Sequence, residues 1–252
     1  MIAIFAAMES EVAACPEWAR RGEKETLEGA VVFQGEGALV CQTGIGRERA
    51  RQAAETTLSR FTASAVLSVG LAGGLAPGIE VGDVVLCTHV DHESHRHSAI
   101  EQSIYASEQL FGVALDLARE AGLAVRTGTS LTVDEAAWGP SEKAEHHAWK
   151  AHDIVEMESF WVAEAASRRG LSFLAVRAVS DSSADTLPNL GVMRPDGTLD
   201  SAKFIAHLQA HPETGDQLSR IAQGSKLALG NLATFLERML PALLELSSRT
   251  KR

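Results

Sequence analysis

Short apolar runs alternate with stretches of helical periodicity along this chain, and this alternation restricts the folds that it can adopt. The runs have the length and composition of buried strands, and they occupy residues 2–7, 30–33, 38–43, 64–69, 83–90, 124–129, 153–155 and 173–180. Strands separated by helices predict a layered α/β domain. We therefore expect an α/β fold, a three-layer sandwich whose central sheet is mixed, mostly parallel and flanked by helices.

Helical patterns fill most of the intervals between the predicted strands, and they cover residues 47–60, 107–121, 158–169 and 215–246. We expect a polar surface helix from Ser141, an amphipathic helix over 158–169, and a bend near Pro241 in the C-terminal helix. Residues 182–198 are rich in Ser, Asp, Pro and Gly, which is typical of a loop. No stretch resembles a linker, so we expect one domain over residues 1–252.

The charge and cysteine content narrow the function classes. The chain has 33 acidic and 23 basic residues and a formal net charge of -10, and an acidic surface disfavours contact with a phosphate backbone, so we expect no nucleic-acid partner. No stretch reaches the roughly 18 apolar residues of a membrane span. Three widely spaced cysteines without a CxxC pair favour reduced thiols in a cytoplasmic protein.

Most candidate functional residues follow directly after predicted strands. They comprise Glu11, the turn residues Gly44 and Gly46, the cluster Gly70, Gly73 and Gly74, the triplet Glu156, Met157 and Glu158, and Asp181. Ligands of open α/β sheets bind at the carboxyl ends of strands, so we expect these residues to converge. An unpaired carboxylate after an apolar run is costly, which makes a purely structural role hard to assign to Glu158 and Asp181.

Four blocks of the chain resemble, in order, the superfamily of purine nucleoside phosphorylases and methylthioadenosine/adenosylhomocysteine nucleosidases. They are AAMESEV, TGIGRERA with SVGLAGGLAPGIEVGDVV, VEMES and VRAVSD. The resemblance runs from the first strand to about Asp181. It implies an enzyme of phosphorylase/hydrolase-like fold that cleaves the N-glycosidic bond of a purine nucleoside, adenine in particular, without a cofactor or metal and as a homo-oligomer.

Cleavage of this bond needs an acid for the leaving purine, carboxylates near the sugar as it gains oxocarbenium character, and a nucleophile on the opposite face. By resemblance, Asp181 is the acid, Glu158 binds a ribose hydroxyl, Met157 packs on the ribose and Glu11 activates water. Glu156 reaches a second hydroxyl, or else it is a capping or salt-bridge group. Several carboxylates in one pocket repel each other, so at least one pKa is expected to rise.

The glycine-rich block departs from the family pattern at two positions. The resemblance implies that Gly70, Ala72 and Gly73 bring backbone close to the sugar or an anion. Leu71 stands where nucleosidases carry Ser and many phosphorylases Ser or Thr. Ser68 stands where hexameric phosphorylases place a phosphate-binding Arg. Both departures weaken the case for a phosphate site in this loop.

Four further side chains are candidates for the pocket. Arg47 is a possible cation from the preceding glycine turn, and Trp138 is the expected stacking surface where nucleosidases carry Phe. Arg177 lies within a strand and is expected to pair with a carboxylate, Asp181 or Glu158. Arg194 either approaches the base or lies on the surface.

The reaction class stays open between three readings. The presence of Glu11, and of Leu rather than Ser at position 71, favours hydrolysis of the nucleoside. Phosphorolysis is the alternative, with inorganic phosphate as a second substrate. Residues 68–85, the segment DSSADTLP and the helical tail are similar to a hopanoid-associated phosphorylase subgroup, which implies a nucleoside-lipid substrate, adenosylhopane. A non-catalytic nucleoside-binding protein is the third reading, disfavoured because binding alone does not need three converging carboxylates.

Two groups of candidate residues also have explanations that involve no catalysis. Glu11 at a helix start is also explained by the helix dipole. The run His89, His92, His95 and His97 has a spacing that can bind zinc, but the segment is polar and loop-like, so we expect no metal and leave open whether this loop binds anything.

Overall fold

The computed structural model describes residues 1–93, 102–188, 191–192, 194–196, 198 and 200–249. The strands of the described part are β1 (Ile2–Ala6), β2 (Lys24–Leu27), β3 (Ala30–Gln34), β4 (Ala38–Gln42), β5 (Ala65–Gly74), β6 (Val84–His92), β7 (Ser103–Tyr105), β8 (Val125–Thr132), β9 (Ile154–Glu156) and β10 (Ser172–Asp181). The α-helices are α1 (Glu9–Ala14), α2 (Glu17–Arg20), α3 (Arg47–Arg60), α4 (Glu108–Glu120), α5 (Pro140–Lys150), α6 (Ser159–Ser167), α7 (Ser201–Ala210) and α8 (Gly215–Arg249).

The strands form one mixed sheet, as expected. A parallel group β4-β1-β5-β10 and a parallel group β6-β8-β9 meet antiparallel at two seams, β10 with β6 and β9 with β5. Because both seams are made, β5, β10, β6, β8 and β9 close into a ring. The hairpins of β2, β3 and β4 extend the other side of the sheet.

Alternate residues of β1 face two separate hydrophobic cores. Ile2 and Ile4 pack with the apolar faces of α1, α4 and α8, whereas Ala3 and Phe5 pack with α3 and α6. Helices therefore cover both faces of the sheet, and the expected three-layer α/β sandwich is confirmed.

The strand and helix predictions are close at most positions, and two are wrong in detail. The strand predicted to end at Val69 continues to Gly74, because β9 and β10 pair with the glycine cluster on its two sides. The helix predicted as amphipathic is α6, which is buried nearly all round because it lies between α3 and the sheet. Elements that the sequence patterns did not indicate are α2, β2, β7 and α7, whereas the helix start proposed at Glu11 is present as α1.

The predicted polar surface helix, α5, is also corrected by the structure. Lys143 and His146 point inward and are buried, and Lys143 has no exposed surface at all. At the other end of the chain, residues 215–246 of α8 are long and apolar enough to cross a membrane by length and composition. Its apolar stripe, which includes Leu232, Phe235 and Met239, packs in the core beside the sheet.

Candidate active site

The carboxyl ends of β5, β9 and β10 bring three of the sequence blocks together. Gly73 of β5 pairs with Asp181 of β10 on one side and with Val155 of β9 on the other. The glycine cluster is thus flanked by the two acidic segments, and Glu156 and Glu158 follow Val155 directly. The glycine cluster and the acidic residues therefore converge at these strand ends, as expected from the sequence.

Glu11 reaches the glycine cluster from the first turn of α1. Its Oε2 accepts hydrogen bonds from the backbone N–H groups of Ala7 at 2.8 Å and Met8 at 2.9 Å. Its Oε1 accepts one from the N–H of Leu71 at 2.7 Å. Burial raises the pKa of Glu11, although the nearby charge of Arg177 and these hydrogen bonds oppose the rise. An interaction with the helix dipole does not by itself explain the position of Glu11, because its side chain also binds the backbone of β5 at Leu71.

Two neighbouring side chains leave no room for a side chain at Gly70. A Cβ on Gly70 would overlap Oε1 of Glu11 and would lie 2.6 Å from Nη1 of Arg177. That Nη1 is buried and has no hydrogen-bond partner among the described residues. A carboxylate oxygen and a cationic donor therefore both approach Gly70 at the point where a side chain would begin.

Arg177 is buried in the sheet and anchors the acidic cluster. Its Nη2 lies 2.7 Å from Oε2 of Glu156, 2.9 Å from Oγ of Ser68 and 2.8 Å from Oγ of Ser159. The expected carboxylate partner was Asp181 or Glu158, and this expectation is corrected, because the ion pair forms with Glu156. Ser68 acts as a hydrogen-bond acceptor for this guanidinium.

Glu156 is held by donors from within the protein. Besides Arg177, its Oε2 accepts from the N–H of Glu158 at 2.9 Å and of Ser159 at 2.6 Å, and Thr132 donates to its Oε1. These bonds cap the start of α6, so the geometry matches the capping and salt-bridge alternative rather than contact with a ribose hydroxyl.

Glu158 joins the turn after β4 to the start of α6. Its Oε1 accepts a hydrogen bond from the N–H of Gly46 at 2.9 Å, and Gly46 also lies next to the methyl group of Met157. Burial raises the pKa of Glu158 to about 8; Arg177 opposes the rise, while Glu156 and Glu11 add to it. The expectation that at least one carboxylate pKa rises in this pocket is met at Glu158 and Glu11.

Asp181 has a partner that the sequence analysis missed. Nζ of Lys143 donates to its Oδ2 at 2.6 Å, and Oγ of Ser180 donates to its Oδ1 at 2.7 Å. Lys143 was assigned to a surface helix. The available signal was Asp181 itself, since a carboxylate at the end of a buried strand requires a cationic or hydrogen-bonding partner.

Trp138 and Arg47 lie at the borders of this region. The carbonyl of Trp138 accepts a hydrogen bond from the N–H of Leu187 at 2.7 Å, which places this half-buried residue beside the segment that follows Asp181. Arg47 stacks 4.2 Å from the centre of the Trp161 ring and lies 3.3 Å from Asp134. Its charge is thus already engaged.

The remaining basic candidates form pairs of their own. Arg194 lies 3.3 Å from Asp200 and more than half of its side chain is exposed, in line with the surface reading. His92 is buried against Trp161 and lies 3.3 Å from Asp134. His95 and His97 lie outside the described residues.

His89, Asp91 and His152 offer ligand atoms within 4.8 Å of one another, the spacing of a possible cation site in the described part of the chain. Asp91 is already engaged, since His152 and Lys150 each lie 3.1 Å from its Oδ2. The ammonium group of Lys150 thus already supplies a positive charge to this carboxylate.

A cavity of about 700 Å³ opens beside Asp181, between the segment after β10 and the first half of α8. Its lining includes Asp185, Asp216, Gln217 and Arg220. The walls of this cavity therefore carry charged and polar groups.

Comparison with known proteins identifies a family and a relative that match most of this chain. The profile of the family described as "Phosphorylase superfamily" matches residues 1–211. A 5'-methylthioadenosine/S-adenosylhomocysteine nucleosidase of Anoxybacillus flavithermus is 30% identical over 203 residues, which cover 71% of this chain and 84% of that protein.

Two solved structures share the fold at low identity. The 5'-methylthioadenosine/S-adenosylhomocysteine nucleosidase of Neisseria meningitidis, in complex with methylthio-immucillin-A, has a TM-score of 0.75 and 23% identity, covering 96% of this chain and 98% of that one. Futalosine hydrolase of Helicobacter pylori has a TM-score of 0.74 and 18% identity, covering 96% and 97%.

Proposed function

The chain belongs to the phosphorylase superfamily, and from this premise we propose that it is an enzyme that hydrolyses the N-glycosidic bond of an adenine nucleoside. The relative from Anoxybacillus flavithermus, named as a nucleosidase, supports this reaction class. The roles below are those that the family resemblance implies, and the contacts around Gly70, Glu158 and Asp181 support them.

One observation carries the choice of water as the nucleophile. Glu11 Oε1 and Arg177 Nη1 border the same space over Gly70, one as an acceptor and the other as an unpartnered donor. We place the attacking water at this pair, because an unpartnered donor on Arg177 can hold it while Glu11 removes its proton. The raised pKa of Glu11 brings it nearer to the operating range of a general base.

The other groups act on the sugar and the purine. As the bond between the ribose and the purine breaks, its electron pair leaves with the base and the sugar becomes positive. Glu158 binds a ribose hydroxyl, Met157 packs on the ring, and the carboxylates stabilise the developing charge. Asp181 delivers a proton to a ring nitrogen of the departing purine, so the base leaves as a neutral molecule.

Phosphate is a poorer fit as the nucleophile. Glu11 and Glu158 border this region with acidic groups, and the charge of Arg177 is already compensated by Glu156. A doubly charged anion placed here would have to share Arg177 with Glu156, whose carboxylate already pairs with it.

The proposal extends to the setting of the enzyme. We propose a cytoplasmic homo-oligomer whose substrate is a small nucleoside, with the polar cavity beside Asp181 next to the bound base. The charged lining of this cavity favours a small polar molecule over a nucleoside-lipid such as adenosylhopane. Adenosylhopane is nevertheless included among the substrates of the experiment below.

The test is release of adenine from 5'-methylthioadenosine, S-adenosylhomocysteine, adenosine and adenosylhopane, with and without inorganic phosphate, with inosine as the hypoxanthine comparison. We expect release without phosphate, and loss of turnover in Glu11→Gln. Glu9→Gln is the matched control, because Glu9 is an exposed acid in the same helical turn. Strict dependence on phosphate, or no release from any of these nucleosides, would overturn the proposal.

A further inference from the structure

Lys143 is a fully buried cation whose hydrogen bonds are all made within the protein. Its Nζ donates to Oδ2 of Asp181 and to the carbonyl of Ser182, both at 2.6 Å, and to the carbonyl of Asp185 at 3.2 Å. An ammonium group has three N–H donors. Because all three are used, Lys143 has none left for a substrate and can act on a ligand only through Asp181.

The carboxylate of Asp181 is correspondingly occupied on both oxygens. Lys143 donates to Oδ2 and Ser180 donates to Oδ1. Lys143 and Asp181 thus form a buried ion pair with a separation of 2.6 Å. An ionised carboxylate has no proton to give, whereas a departing purine needs one.

We infer that the proton for the leaving purine originates on Lys143 and reaches the base through Asp181, so that the acid is a Lys143–Asp181 pair. This inference rests on the proposed function. Lys143 is a positioning residue in this scheme, since only Asp181 touches the purine. The short contact of 2.6 Å is a distance over which a proton moves directly.

The step balances without an additional reactant. The electron pair of the broken bond stays with the purine, Asp181 gives a proton to a purine ring nitrogen, and Lys143 gives a proton to Asp181. Lys143 is left as a neutral amine, and after adenine leaves it recovers a proton from solvent through Asp181, which lines the neighbouring cavity. The water that adds to the sugar carbon loses its proton to Glu11, and the net reaction is hydrolysis.

A purely structural role predicts different behaviour. Lys143 also fastens the segment after β10 through the carbonyls of Ser182 and Asp185, and loss of that attachment would weaken substrate binding and lower stability. Asp185→Asn is the matched control, because the Asp185 carboxylate holds the same segment through Ser182 at 2.7 and 2.8 Å without touching Asp181.

The experiment compares wild type, Lys143→Met and Asp185→Asn by kcat, KM and the pH profile of kcat. For Lys143→Met we expect kcat to fall by about 10²–10³-fold, the range of a general-acid contribution, with KM nearly unchanged. Its rate should decline steadily as pH rises, because Asp181 must then take its proton from solvent. Asp185→Asn should change KM while its pH profile stays that of wild type.

A second variant covers the case in which Lys143→Met does not fold. Lys143→Ala leaves a slot that propylamine fits, and we expect its kcat to rise with propylammonium but not with propanol. Wild-type activity together with an unchanged kcat and pH profile in Lys143→Met, or equal rescue by propanol, would overturn the inference. Absence of adenine release in wild type would instead refute the proposed function.

Discussion

Arg177 and Glu156 form a buried ion pair in which Nη2 of the guanidinium lies 2.7 Å from Oε2 of the carboxylate. This pair separates the acidic residues of the site into two kinds. Glu156 is compensated by a cation and by backbone donors, whereas burial raises the pKa of Glu11 and of Glu158. Three acidic side chains of similar appearance in the sequence thus have different environments.

The first prediction concerns the stability of this pair. Glu156→Gln leaves the guanidinium of Arg177 buried without its direct ion-pair partner, and we expect the free energy of unfolding to fall by about 3–5 kcal/mol. Glu55→Gln is the control, because Glu55 pairs with Arg168 and Arg169 near the surface, where such a change costs about 0–1 kcal/mol. Urea unfolding measures both, and equal losses would contradict the prediction.

The second prediction concerns pH. The pKa of Glu158 is raised from 4.5 to about 8 in the folded protein, so between these values the folded state keeps a proton that the unfolded chain releases. Stability from this group is therefore complete at low pH and is lost as pH rises through about 8. Glu158→Gln should flatten the decline of the melting temperature across this window. An unaltered slope in the variant would count against it.

The third prediction tests the space over Gly70. Gly70→Ala places a methyl group against Glu11 and Arg177, which displaces the proposed water, and we expect turnover to fall by about 100-fold or more. Gly112→Ala is the control, since a Cβ there meets nothing within 4 Å inside α4. That variant should keep its activity and gain about 0.5–1 kcal/mol. Full activity in Gly70→Ala would remove the water site from the mechanism.

The fourth prediction compares two glycines of α8. A Cβ on Gly224 would lie 2.5 Å from the carbonyl oxygen of Ser180, a backbone atom next to Asp181. Gly224→Ala should therefore force α8 away from β10 and cost about 1–3 kcal/mol. Gly230→Ala has open space at its Cβ and should be neutral or stabilising. Thermal unfolding of the two variants distinguishes them, and similar melting temperatures would refute the argument.

The fold was largely predictable because its strands are apolar runs and its helices have clear periodicity. The prediction failed at α6 for a physical reason. Glu164 and the arginines after α6 suggested a polar face, but α3 covers the side that would otherwise meet solvent. The strand β5 was predicted too short because glycines normally end a strand, whereas here both neighbours pair with Gly73.

The site was predictable in its members but not in its connections. Glu11, Glu158 and Asp181 follow strands or open helices, so their convergence follows from the topology. The partner of Asp181 is different, because Lys143 lies 38 residues away in a polar segment. Only the packing of α5 against the segment after β10 decides whether that lysine meets water or a carboxylate.

The ring of strands described above also has a consequence for how the protein folds. β10 (Ser172–Asp181) lies between β5 (Ala65–Gly74) and β6 (Val84–His92), so its partners are made long before it. Such distant pairings raise contact order and slow folding. Until β10 inserts, the edges of β5 and β6 are unpaired and open to aggregation. During synthesis, Arg177 and Asp181 therefore emerge after Glu11 and Glu158, and the cluster that they form together is completed only in the step that seals the sheet.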